Sequence, residues 1–255
     1  MLKKGTFWLI LGYCGLFLTN LFAGAPCYDG LIDGCWHFDE GNLDVTFDAA
    51  PQRKQAGIGG EEWTRARLNG NATFVDGISG RAISLDGTKD SVHTGSSTIW
   101  DFSGTEPFTV ACWIYLIGRQ ALQTIVSNSG GTGVGWIFTL GTGQGLPLQF
   151  TFNGVRDFAG TTTISSRTWH HIAFTWSGAD GTIYLDGKVE LASTGGSAPL
   201  ATTLSTSILI GAINVARDWN GYIDDVLIYE KALSLREIEN LYLSYFNREG
   251  YIEDE

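Results

Sequence analysis

Three sets of residues in this chain have the types and the spacing to do chemistry. The first is Asp224-Asp225. Retaining glycosidases set two carboxyl groups roughly 5–5.5 Å apart. Neighbours in a strand point to opposite faces, so these two are not expected to work as that pair. The second is His170-His171, which meets the same objection as a metal pair or a dyad; packing within a strand is the simpler role for both. The third set is aromatic. Trp113, Tyr115, Trp169 and His171 share a face of two predicted strands, while Trp63, Trp100, Trp136 and Trp219 lie in or beside predicted loops. Sugars present apolar CH faces and hydroxyls, so rings beside Asp, Asn or Gln suit a glycan. Burial in a core is the competing role of a Trp. Trp113, Tyr115, Trp169, His171, Trp136 and Trp100 are therefore the candidate ligand-binding residues. Other chemistries find less support: Gly130-Gly131-Thr132-Gly133 lacks the Lys and the helix of a phosphate loop, and no Cys/His spacing matches a zinc site.

The elements that must position these residues are short strands. Thr168 to Leu191 reads as three of them. In the first, Trp169 to Trp176, Trp169, His171, Ala173 and Thr175 face one way and His170, Ile172, Phe174 and Trp176 the other. Ser177-Gly178-Ala179-Asp180-Gly181 forms the first loop, and Asp186-Gly187 supplies the positive φ of a type I′ turn. Pro107 to Leu116 is the strongest central strand: Phe108, Val110, Cys112 and Ile114 share one face, and Ala111, Trp113 and Tyr115 the other. Two apolar faces imply burial on both sides or an aromatic face serving a partner. Further strands are expected at residues 31–38, 72–75, 81–85, 91–94, 122–127, 136–140, 148–152, 161–164, 207–210 and 222–229, with 42–64 a long surface loop. Ser234-Leu235-Arg236-Glu237 has the form of a capping box, and Leu235, Ile238, Leu241, Tyr242 and Tyr245 then recur at helical spacing. The pattern predicts one all-β domain, an antiparallel two-sheet sandwich closed by a short C-terminal helix.

The chain has 255 residues, 44% of them hydrophobic, enough to bury a full core. Its net charge of −11 argues against nucleic acid, whose phosphates select a basic patch. Cations and neutral polymers are compatible with it. Lys3-Lys4, the apolar run from Phe7 to Phe22 and Ala23-Gly24-Ala25 form a secretory signal pattern. Residues 1–25 are thus expected to be removed, leaving an extracellular domain at 26–247 and an acidic tail at 248–255. An uncleaved anchor at the cell surface is the alternative. Export permits a disulfide, with Cys27–Cys35 the local candidate and Cys112 a small buried apolar residue.

Five motifs in order carry a family resemblance. Trp36-His37-Phe38-Asp39-Glu40-Gly41 matches a W-x-F-D-E-G opening, and Gly80 to Gly87 matches G-x-A-x-x-F-D-G with Leu85 for Phe. Phe108 to Trp113 matches F-T-V-x-x-W, and Trp169 to Lys188 the W-x-H hairpin with its L-Y-[LV]-D-G-K end. Trp219 to Tyr229 followed by Ala232-Leu233-Ser234 and Glu237-Ile238 matches the closing signature. In this the chain resembles the LamG-like jellyroll, a concanavalin A-like sandwich related to laminin G modules and pentraxins. The resemblance implies a jellyroll fold and a structural calcium ion, held by Asp39 or Glu40, Asp48, and Asp224 or Asp225. It also places Ala111 and Ala173 where pentraxins have a disulfide between central strands. Glycosidases of this fold carry E-x-D-x-x-E on one strand, a pattern missing here. The resulting expectation is a non-enzymatic, secreted or cell-surface module binding carbohydrate, with calcium as candidate cofactor. Protein–protein adhesion and polysaccharide cleavage are the alternatives, so the partner is a glycan or an extracellular protein.

Overall fold

The computed structural model describes residues 32–40, 45–47, 65–94, 105–120, 122–128, 135–142, 145–194, 207–213 and 217–246. In chain order their strands are β1 (Ile32–Trp36), β2 (Val45–Phe47), β3 (Arg65–Asn69), β4 (Thr73–Asp76), β5 (Arg81–Asp86), β6 (Ser91–Thr94), β7 (Phe108–Leu116) and β8 (Thr124–Ser127). There follow β9 (Trp136–Leu140), β10 (Leu148–Phe152), β11 (Arg156–Ala159), β12 (Trp169–Trp176), β13 (Gly181–Leu185), β14 (Lys188–Ser193), β15 (Leu209–Ile210) and β16 (Asn220–Tyr229). One helix, α1 (Leu235–Leu243), closes the described chain.

The strands form two antiparallel sheets. One runs β14-β13-β12-β7-β16-β5-β4, with β1 also paired to β16; the other runs β11-β10-β9-β8-β15-β6-β3-β2. The chain is therefore a two-sheet jellyroll sandwich, as its alternating pattern and turn residues require. The Asp186-Gly187 turn takes the expected left-handed backbone, φ 50° and 74°. Where the two sheets face each other, inward residues interdigitate in an aromatic-rich core. Phe150 of β10 stacks on Phe174 of β12 with ring centroids 3.7 Å apart, and Phe108, Trp136, Phe152, Phe158 and Trp176 surround them.

Three strands lie where the sequence pattern pointed to loop or elsewhere. β2 falls within the expected 42–64 loop, β3 follows it, and β11 stands in place of the strand expected at 161–164. Among the described residues β2 and β11 are the two edges of their sheet, and with three and four residues they are too short to show a period. Cys35 is disulfide-bonded while Cys112 is free and buried. Cys27, the expected partner, lies outside the described residues, as do the N-terminal signal pattern and the acidic tail. Among the described residues no helix is long and apolar enough to cross a membrane.

The outer face of the first sheet carries a second, smaller core. Cys35, Ala111, Ala173, Tyr184, Leu227, Tyr229 and Leu233 pack there with Ile238, Leu241 and Tyr245 of the C-terminal region. Ala111 and Ala173 are direct cross-strand partners and fully buried, so tight packing occupies the place the resemblance assigned to a disulfide. The helix is set by its capping box: Ser234 Oγ accepts from Glu237 N, and Glu237 Oε2 accepts from Ser234 N at 2.7 Å. The hydrogen bond from Ser234 N, then that from Lys231 Nζ at 2.9 Å, hold the Glu237 carboxyl down at about 2.

Candidate functional site

Alternation along the central strands decides which aromatics reach the outer face. Ile114, Leu116 and Ile172 belong to the core between the sheets, so Trp113 and Tyr115 of β7 and Trp169 and His171 of β12 point outward. Tyr222 of β16 joins them, being paired directly with Tyr115. Tyr115 and Tyr222 stack with centroids 5.1 Å apart and 15° between their planes. Trp169 lies 5.5 Å from Tyr115 and 6.3 Å from Tyr222, so the three rings make a compact patch rather than a line. All three are half-buried.

Polar groups border this patch across the sheet. Tyr222 pairs with Ser84 of β5, and Ser84 in turn with Thr73 of β4. Two residues along, Asn220 pairs with Asp86. The Asn220 amide lies over Gly118 and Gly87; a Cβ added at Gly118 would sit 2.6 Å from its Nδ2, so glycine is what lets the amide lie there. Asp86 is exposed, and its carboxyl is held below the usual range chiefly by Asn71 Nδ2, which donates to it at 3.1 Å. Rings, hydroxyls, an amide and a charged acceptor thus share one surface.

The rest of the expected ligand set is covered. Trp113 is 1% exposed: Tyr242, Tyr245 and Phe246 pack on it at 5.7, 5.0 and 5.9 Å. His171, also 1% exposed, lies 5.3 Å from the Trp113 ring; burial lowers it to about 4 against the opposing pull of Asp186, so it is neutral near pH 7. Trp136 belongs to the core between the sheets, as does Trp219, and neither offers a surface to a ligand. Their sequence neighbourhoods suggested loops, but the indole rings turn inward. Trp63 and Trp100 lie outside the described residues.

Of the carboxylates expected at a calcium site, Asp224 and Asp225 are buried and Asp39 is half-buried, and all three are engaged. Between Asp224 and Leu227 the pairing of β16 with β7 shifts register, and Asp225 takes a left-handed φ of 46°. The extra residue of this bulge breaks the alternation expected of a regular strand. Asp224 Oδ2 accepts from Ile78 N at 3.0 Å and its Oδ1 from Asp225 N at 2.8 Å. Asp39 Oδ1 accepts from Arg81 N at 2.8 Å. Asp225 bonds to His37 Nδ1, and Tyr245 also serves its carboxyl. Burial, then the charge of Asp225, pushes Asp224 well up from the usual carboxylate range; burial raises Asp225 too. For His37, burial acts downward, but the Asp225 hydrogen bond and the charges of Asp225, Asp39 and Glu40 together raise it. Among the described residues no three His, Cys, Asp or Glu side chains converge to hold one ion. Asp48 lies outside the described residues.

A third arrangement escaped the sequence pattern. His170 Nδ1 bonds to Asp186 Oδ2 at 2.8 Å, and its Nε2 to Ser165 Oγ at 2.6 Å. Asp186 follows the strand after His170 and Ser165 precedes it on an irregular segment, so no sequence period links them.

Residues 85–239 match the family model of the concanavalin A-like lectin/glucanases superfamily. Among solved structures, the chain is similar to domain 4 of an extracellular GH43 arabinanase from Geobacillus stearothermophilus, determined in complex with arabinotriose. The two are 17% identical with a TM-score of 0.65, covering 83% of this chain and 98% of that one. Botulinum neurotoxin type C, whose cell entry is dependent upon interaction with two ganglioside molecules, is 15% identical at TM-score 0.63, over 84% of this chain and 51% of that one. A Trypanosoma rangeli sialidase in complex with the inhibitor DANA is 12% identical at TM-score 0.60, over 83% of this chain and 32% of that one. No curated protein matches the chain in sequence.

Proposed function

The chain belongs to the concanavalin A-like lectin/glucanase superfamily, and from that premise we propose that it is a secreted carbohydrate-binding module that does not cleave its glycan. The observation that carries this reading is the half-exposed patch of Trp169, Tyr115 and Tyr222 bordered by Ser84, Asn220 and Asp86. Rings take the CH face of a sugar, and the polar border takes its hydroxyls. A compact triangle of rings suits a single sugar residue, internal or terminal, better than a long run of them. Neighbours solved with arabinotriose or described with gangliosides support the same ligand class. Against glycosidic cleavage, Asp224 and Asp225 are 0% and 1% exposed and engaged by neighbouring groups, which leaves them no open flank beside a substrate.

Calcium enters the proposal only with Asp48 as a further donor beside Asp39, Asp224 and Asp225. Hard Ca²⁺ needs six to eight oxygens, more than these described carboxylates bring together. Protein adhesion is the second reading, and the exposed apolar side chains Val189, Leu235, Leu243 and Phe246 favour it.

The test is a glycan array followed by calorimetry on the best soluble polysaccharide, with calcium and with EDTA. Binding that Trp169→Ala weakens at least about tenfold is expected. Binding to no glycan, or binding that Trp169→Ala leaves intact, would overturn the reading and move weight to a protein partner. EDTA sensitivity bears on the calcium arm alone.

A further inference from the structure

We propose that Ser165, His170 and Asp186 form a nucleophilic triad that removes acyl groups from esters carried on a large, exposed polymer. The three side chains stand in the required order: Ser165 Oγ to His170 Nε2 at 2.6 Å, and His170 Nδ1 to Asp186 Oδ2 at 2.8 Å. With Nδ1–H donating to the carboxylate, Nε2 is left as the acceptor of the serine proton, the tautomer a general base needs.

Each member is fixed by its neighbours. Asp186 sits in the tight turn between β13 and β14, and two further bonds tie it to β12. Its Oδ1 accepts from His171 N at 2.9 Å, and its own N donates to His171 O at 2.8 Å. Only Oδ2 is then directed at the imidazole. His170 is carried by β12, next to the centre of the sheet. Ser165 lies between two anchored residues: Ile164, buried in the core, whose carbonyl accepts from Arg119 Nη2 at 2.5 Å, and the 166–167 segment, where Arg167 N donates to Leu116 O at 2.8 Å. Groups positioned by strands and anchored turns in this way hold their geometry without a ligand. The arrangement owes nothing to the aromatic patch and stands or falls separately from it.

Exposure decides the substrate class. The Ser165 side chain is open to solvent and His170 retains 14% of its side-chain surface, so an ester on a bulky chain can reach the hydroxyl without entering a closed pocket. In the reaction, Ser165 Oγ forms a bond to the acyl carbon as its proton passes to His170 Nε2. The ester C–O bond then breaks, and the departing alcohol takes that proton, leaving an acyl-serine. Water, losing a proton to His170, attacks the acyl carbon; the C–Oγ bond breaks, Ser165 recovers its proton, and a carboxylic acid leaves. No oxidant or metal is consumed.

The experiment treats the full-length protein with a fluorophosphonate probe and, separately, with p-nitrophenyl acetate. Intact-mass and peptide mapping are expected to show one adduct, on Ser165. Ser165→Ala, an exposed and conservative change, abolishes it and returns ester hydrolysis to the buffer rate. Asp186→Asn slows labelling at least about a hundredfold, because the imidazole loses its orienting acceptor. Near-ultraviolet circular dichroism checks that each variant is folded. A folded wild type that takes no probe while a control serine hydrolase does, or Ser165→Ala hydrolysing the ester at the wild-type rate, overturns the proposal.

Discussion

Two patches of one sheet face, a single outward step apart on the same strands, have opposite fates. Trp113 and His171 lie under α1 and the chain just after it, sealed from water; Tyr115 and Trp169, the next outward residues of β7 and β12, keep part of their surface. The strands themselves are alike in the two places: each offers rings on a regular pleat. What differs is the cover, brought by Tyr242, Tyr245 and Phe246 from the end of the described chain. On a sandwich, then, a strand's own pattern says which side chains leave the core, and a remote element says which of those meet solvent.

This contrast can be broken by substitution. The largest effect is expected at the covered patch: Trp113→Ala should lower unfolding free energy by about 3–5 kcal/mol in urea titrations, while glycan affinity of the folded protein stays within about twofold. A cost under about 1 kcal/mol would mean that the helix does not seal this ring. Trp169→Ala should do the reverse, costing about 1.4 kcal/mol or more of binding with a melting temperature close to wild type. Removing the cap is a gentler probe. Ser234→Ala should cost about 1 kcal/mol and, by loosening the cover, raise the quenching of Trp113 fluorescence by acrylamide.

The smallest effect concerns pH. His37 is raised in the folded state, so its contribution is fully present below about 6.5, the unfolded value. It is lost as pH rises through the folded pKa. His171 runs the other way: lowered to about 4, it contributes fully above 6.5 and loses that as pH falls toward 4. The difference in melting temperature between wild type and His37→Gln should therefore shrink as pH climbs from 6 to 9. A difference that stays constant over this range would show that His37 does not bind its proton more tightly in the folded protein.

The fold was legible because its information is local. Turn residues and period-two strands can be read within a few positions, and the expected facing of Ala111 and Ala173 appears as a direct pair. Of the strands that escaped notice, Val45–Phe47 has three residues and Arg156–Ala159 four, both at edges of their sheet, while Arg65–Asn69 is an inner strand whose two Arg and one Asn among five residues hide an apolar pattern. At the candidate site, the alternation of Trp113 with Tyr115 and of Trp169 with His171 was readable, and so was the C-terminal helix, but not its docking over Trp113 and His171 alone. Tyr222 could have been found from the same alternation, had the pairing of its strand with Tyr115 been known. The Asp224-Asp225 geometry rests on a bulge, and the link from Ser165 to His170 on an irregular backbone; neither leaves a periodic trace.

β16 pairs with β7 along most of its length, with β5 through Asn220–Ile223 and with β1 through Val226–Tyr229. A strand near the end of the chain is thus the only described partner of the strand near its beginning. During synthesis at ~5–20 residues per second, β1 must wait on the order of ten seconds or more with its edge unpaired before Tyr229 exists to meet Ile32. The sheet cannot be completed piecemeal as the ribosome delivers it. A truncated chain ending before β16 would be a substrate for chaperones and proteases rather than a smaller domain.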